Sequence, residues 1–133
     1  KKDIIIVTNT LMSIILPLHK KRFDYETYFH LTANEERYSK LLTHYELFKR
    51  AKKVRGDIVE CGVFKGTSFV RFCFFSKLHR SKKKLIGFDN FDNNYPKTSE
   101  VKDHKIRSKW IKESGGNSIS VVQLKKILNK IDL

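Results

Sequence analysis

The residues of this chain best suited to chemistry lie in Gly56-Asp-Ile-Val-Glu60-Cys-Gly62-Val-Phe-Lys-Gly66-Thr67-Ser68 and, farther on, at Asp89. Ile58 to Val63 is a short β-prone run, and the glycines around its end permit a tight turn into an apolar helix that Thr67 and Ser68 can cap. A strand that ends in such a loop and feeds a helix brings backbone amides and the positive end of a helix dipole to the carboxyl edge of a sheet. Open α/β sheets bind their ligands at that edge. Gly62 and Gly66 would let a ligand approach the backbone closely. Asp89 follows a second strand-like run, Leu85-Ile-Gly-Phe88, and can accept two hydrogen bonds from a ribose diol. Glu60 in an apolar strand is costly to bury unless it is paired with a base or used by a ligand.

Three nucleotide-site patterns can be compared with these letters. The dinucleotide fingerprint G-x-G-x-x-G fails, because starting from Gly62 it requires glycine at Phe64 and Thr67. The P-loop fails as well, since the local order is Lys65-Gly66-Thr67 and not Gly-Lys-Ser/Thr. The pattern E-x-G-x-x-x-G with a later strand-end acid suits a cofactor without phosphates. S-adenosylmethionine is such a cofactor, with a ribose for Asp89 and a zwitterionic methionine tail for the loop and the Glu60 region.

The elements that must position these residues are readable from periodicity and punctuation. Thr32-Ala-Asn-Glu35 has the capping-box pattern, and Tyr38, Leu41, Leu42, Tyr45 and Phe48 then recur on one face of a helix running to about Lys53, with Gly56 as its terminator. His44 on that helix reads as a surface or satisfied core residue. Phe69, Val70, Phe72, Cys73, Phe74, Phe75 and Leu78 predict a helix buried on more than one side. Strand, helix and strand at this spacing make a βαβ unit. Asn90 to Pro96 reads as a loop, Ser99 to Lys112 as a polar helix with apolar contacts at Ile106, Trp110 and Ile111, and Gly115-Gly116 as its break. Ser120-Val-Val-Gln123 is a second capping box, opening a helix with Leu124, Ile127, Leu128 and Ile131 as its apolar stripe. The α/β pattern stops at Leu133, where a further strand is expected.

Taken together, Gly56 to Gly66, Gly87-Phe-Asp89-Asn-Phe91 and Pro96 resemble the macrocin/mycinamicin-type (TylF-like) O-methyltransferases, most of all the branch acting on dTDP-6-deoxyhexoses. The likeness extends to His44-Tyr-Glu-Leu47 and to Gly115-Gly-Asn-Ser-Ile-Ser120, and covers about residues 32–128. It implies an α/β, Rossmann-like class I methyltransferase fold, of which this chain holds the helices and the first βαβ unit. A hydrophobic and basic segment over residues 1–31 would precede the amino-terminal half of that domain over 32–133. The resemblance also implies that Glu60, Gly62, Gly66, Thr67 and Ser68 surround the methionine part of S-adenosylmethionine, that Asp89 holds the ribose, and that Phe91 lies near the adenosine. The implied acceptor is a sugar hydroxyl on a nucleotide-linked deoxyhexose or glycan precursor. Family members use a divalent metal, usually Mg²⁺, held by acidic residues of the later half. No residue here is assigned as metal ligand or catalytic base, and the 133-residue chain alone is expected to be inactive.

The bulk properties agree with one domain at most: 133 residues, 40% apolar, 12% aromatic, with 6 Gly, 2 Pro and 2 Cys. They exclude collagen-like, low-complexity and disulfide-scaffold classes, and Cys61 and Cys73 read as reduced thiols of a cytoplasmic domain. The 28 Lys+Arg against 14 Asp+Glu are spread along the chain, mainly at element ends, which describes a solvated surface with no specific nucleic-acid partner. The alternatives are a non-catalytic basic nucleic-acid-binding module and a truncated interaction protein. Ile4 to Leu18 is uncharged and mainly apolar, but shorter than the roughly 20 residues of a membrane-spanning helix. It also lacks a small-residue cleavage site, and basic residues follow at once. It reads as a hydrophobic element covering the domain or a dimer partner, so a homo-oligomer is one expected assembly.

Overall fold

Ile58 to Cys61 and Leu85 to Phe88 are short, β-prone and separated by one helix, so they can only pair in parallel, and they do. The computed structural model describes residues 21–91, 101–116 and 118–130. Within them the order is α1 (Arg22–Thr32), α2 (Glu35–Lys52), β1 (Ile58–Cys61), α3 (Thr67–Leu78), β2 (Leu85–Phe88), α4 (Val101–Glu113) and α5 (Val121–Lys130). The described part is a mixed α/β structure of five helices and a two-stranded parallel sheet. The register sets Ile58 against Leu85, Glu60 against Gly87 and Cys61 against Phe88.

Strand alternation sends Ile58, Glu60, Leu85 and Gly87 to one face of the sheet and Val59, Cys61, Ile86 and Phe88 to the other. The first face packs against α3. Leu85 and Gly87 are buried there, and a Cβ on Gly87 would come within 3.0 Å of both Phe69 and Val63. On the second face Val59 and Phe88 remain about half exposed. The core joins the sheet and α3 to α5: Val63, Phe69, Cys73, Leu85 and Phe91 pack with Ile119, Val121, Leu124 and Leu128. Burying each such side chain is worth roughly 1.5–3 kcal/mol. Ile119 is held in place by its amide, which donates to the Phe64 carbonyl at 2.7 Å.

Several expectations shift on contact with the fold. Thr32 is not the cap of α2. It ends α1, its hydroxyl donating to the Tyr28 carbonyl, and Asn34 takes the cap position by accepting from the Arg37 amide at 3.1 Å. The expected segment boundary at 31/32 falls in the last turn of α1. Leu42 points outward at 62% exposure, because α2 meets α3 along a narrow stripe in which Phe48 is buried, Tyr45 abuts Phe75 and His44 stacks on Phe72. The first strand stops at Cys61, two residues early, since Gly62 at φ +87° turns the chain out of the sheet. Thr67 and Ser68 occupy the first turn of α3, and its N-cap is Gly66 in the left-handed region. That helix is buried on more than one side, as expected, with Phe69 and Cys73 in the core shared with the sheet and α5 and Phe75 against Tyr45 and Phe48 of α2, while Phe74 and Leu78 stay exposed.

The carboxyl-terminal elements follow their punctuation. Gly115 and Gly116, both at positive φ, end α4, whose Ile106 and Trp110 are more exposed than expected. The second capping box forms as written: the Gln123 amide donates to the Ser120 hydroxyl at 3.2 Å, and the Ser120 amide donates to the Gln123 side chain at 3.3 Å. Ser120→Ala is expected to lower stability by about 1 kcal/mol in urea unfolding, with the denaturant dependence unchanged. The Ile4–Leu18 run, Pro96 with most of its loop, Ser99 and Ile131 lie outside the described residues. Among the described residues, no helix is long and apolar enough to cross a membrane.

Candidate functional site

At the carboxyl ends of the two strands, Glu60 and Asp89 are built into the backbone around one loop. Glu60 lies on the α3 side of the sheet, where the Ser68 hydroxyl donates to its Oε1. Its Oε2 is buried and has no hydrogen-bond partner among the described residues. Burial pushes the Glu60 carboxyl above its usual range, and the nearby Asp89 charge adds to the rise, against the opposing pull of the Ser68 bond and of Arg71. Asp89, just past β2, accepts from the Phe64 amide at 2.6 Å through Oδ2 and from the Phe91 amide at 3.3 Å through Oδ1. It therefore ties the loop after β1 to the end of β2. An ionised carboxylate has about four acceptor positions, so these two bonds leave it capacity for a ligand.

The loop conformation explains which glycine faces what. A Cβ on Gly62 would meet nothing within 4 Å, so its flank is open. Gly66, at φ +77°, is instead pressed against the core, where a Cβ would lie 3.3 Å from Leu124 and 3.5 Å from Ile119. The close approach expected at Gly66 is thus to the core, and only Gly62 has the geometry expected for a ligand. Between them Phe64 sits at φ +47°, an uncommon conformation for a bulky residue. It persists because its amide is bound by Asp89 and its carbonyl by the Ile119 amide. Thr67 is exposed and Ser68 half-buried in the first turn of α3, whose leading amides have no carbonyl partner in their own helix. Phe91 is 2% exposed and belongs to the core.

A cleft of about 510 Å³ opens beside this loop, lined by Gly62, Phe64, Thr67 and Ser68, by Arg37, Lys40 and His44 of α2, by Arg71 of α3 and by Trp110 of α4. The Phe64 and Trp110 rings lie 5.0 Å apart and make an apolar wall. Lys65 fastens the end of α4 to the loop by donating to the carbonyls of Ser114 at 2.7 Å and Gly115 at 2.9 Å. Arg71 donates to His44 Nδ1 at 3.2 Å. Burial, together with the Arg71 and Lys40 charges, lowers the His44 pKa, so this imidazole is neutral at pH 7. Sequence reasoning missed Arg37, Lys40, Arg71 and Trp110. The only signal for the first two is their i, i+3, i+7 spacing with His44.

Comparison with protein-family models, with curated proteins and with solved structures finds no match to this chain. Among the described residues no group of three or more His, Cys, Asp or Glu side chains converges as a metal site would. The site offers a half-buried carboxylate with a free acceptor atom, a second acid with spare acceptor capacity, unpaired helix amides and an open glycine flank. Such a set can hold a ligand that presents hydrogen-bond donors to the acids and an anionic group to the amides.

Proposed function

We propose that this chain is the cofactor-binding part of an S-adenosylmethionine-dependent O-methyltransferase acting on a sugar hydroxyl, the acceptor being a nucleotide-linked deoxyhexose. The observation that carries this reading is Glu60 Oε2, a buried acceptor with no hydrogen-bond partner among the described residues, at the end of the strand that leads into the open-flanked Gly62. A buried polar atom without a partner costs about 1–3 kcal/mol, and an α-ammonium group bound there would remove that cost. The methionine carboxylate would meet the leading amides of α3 at Thr67 and Ser68, and the ribose diol would use the spare acceptor positions of Asp89. The overall fold would then be the amino-terminal part of a Rossmann-like class I methyltransferase domain.

The bound cofactor supplies a methyl group on a sulfonium, so transfer is an in-line displacement that needs no protein nucleophile. The residues of this chain bind and orient. Glu60 and Asp89 fix the two ends of the donor, and the Phe64–Asp89 bond keeps the loop from swinging away from the strand ends. The residues described fit no divalent metal, and none is assigned to one. The test is calorimetry with S-adenosylhomocysteine. Asp89→Ala, which removes both the ribose acceptor and the anchor of the Phe64 amide, is expected to weaken binding about 100-fold, and Asp89→Asn, which keeps one carbonyl, about tenfold. No binding by the wild-type chain at millimolar ligand would overturn the proposal.

A further inference from the structure

We infer that the cleft beside the Glu60 loop holds a phosphoryl group of a second ligand, received by Arg37 and Lys40 of α2 and by Arg71 of α3. Arg37, Lys40 and His44 stand at i, i+3 and i+7 on α2 and all line the cleft, with Arg71 across from them. The lining holds four cations, counting Lys65, against one acid, Glu36. Lys65 is committed to the Ser114 and Gly115 carbonyls. None of the ion pairs between described residues, Glu46 with Lys49 and Glu113 with Lys109, lies in the cleft.

Arg71 is the most telling of these groups. Its guanidinium is half-buried, yet the bond it makes is to an imidazole and not to a carboxylate. A guanidinium can only donate, so His44 Nδ1 accepts and carries no proton; Glu60 is the carboxylate whose charge acts on Arg71, and the guanidinium keeps further N–H donors for a ligand. Guanidinium forks match phosphoryl oxygens in geometry, and a lysine supplies a point charge beside them. The Phe64–Trp110 wall and the volume of about 510 Å³ leave room for the apolar or ring-bearing remainder of the same ligand.

This inference rests on the proposed function only for the role of the second ligand, as acceptor beside the methyl donor. The other source of an anion is the carboxylate of the donor itself, and the experiment separates the two. Inorganic pyrophosphate and S-adenosylhomocysteine are titrated singly and together into the full chain by calorimetry, at physiological salt. The expected result is that both bind at once, and that the Arg37→Gln/Lys40→Gln double variant loses about tenfold or more for pyrophosphate while keeping its affinity for S-adenosylhomocysteine. Mutual exclusion would overturn the inference and give the cations to the donor carboxylate. Equal pyrophosphate affinity in wild type and variant would overturn it as non-specific attraction, and tighter capture of a short single-stranded RNA that the double variant also loses would overturn it in favour of nucleic acid. Pyrophosphate binding without S-adenosylhomocysteine binding would support the anion site while removing the methyltransferase reading.

Discussion

Glu60→Gln is expected to melt at a higher temperature than the wild-type chain at pH 7 to 8, and to bind S-adenosylhomocysteine about 10- to 100-fold more weakly. The two effects have one origin. Burial raises the Glu60 pKa in the folded chain, so the stability this group contributes is present in full below its unfolded pKa and is lost as pH rises through the higher folded value. Above that folded value the wild type carries an ionised carboxylate whose Oε2 is buried with no hydrogen-bond partner among the described residues. Glutamine keeps an oxygen for the Ser68 hydroxyl and removes the charge. The same change takes away the charge-assisted bond to an ammonium group, worth about 1.5–3 kcal/mol. Thermal melts at pH 4 and pH 8 should show the gap between variant and wild type opening at the higher pH, with calorimetry giving the affinity. Identical melting at pH 8, or undiminished affinity, would refute this account of Glu60.

Gly87→Ala is expected to cost about 1–3 kcal/mol, with a fall in urea midpoint at constant denaturant dependence. A Cβ there would come within 3.0 Å of Phe69 Cε2 and Val63 Cγ2, and neither is a flexible chain end that can swing aside. Phe69 and Val63 are 1% and 2% exposed, so the overlap must be relieved by moving β2 away from α3. The effect is a large share of the roughly 5–15 kcal/mol that stabilises a domain. It also reaches the site. Gly87 is paired opposite Glu60 and stands two residues before Asp89, so displacing it changes the spacing of the two carboxylates. A variant with unchanged midpoint would show that the sheet and α3 are packed more loosely than the distances indicate.

What could be read from the letters was mostly local. The Ser120–Gln123 box forms because its bonds span three residues, and the β1–loop–α3–β2 order follows from short-range glycine and β-branched punctuation. The Thr32 box fails although its letters are equally good, because a helix already runs into Thr32, and of the two extended residues that follow, Ala33 and Asn34, only Asn34 has a side chain that can cap α2. Leu42 satisfies the helical period and still faces outward, since how wide a stripe the neighbour covers is a property of packing. Gly62 and Gly66 look alike in sequence. Only the position of Leu124, far along the chain, shows that one flank is open and the other filled. The Arg37–Lys40 stripe was hidden for a different reason, since two cations carry little information among 28.

The left-handed Phe64 is held from both sides by residues distant in sequence, Asp89 through its amide and Ile119 through its carbonyl. The loop therefore has no binding-competent shape of its own. It acquires one only when β2 has docked beside β1 and the segment leading into α5 has closed over it, so local fraying of either partner abolishes the site before the rest of the chain unfolds. A ligand held there is linked thermodynamically to that whole cooperative unit. At a concentration of about 100 times its Kd it would add roughly 2.7 kcal/mol to the unit's stability, shared by elements it never touches.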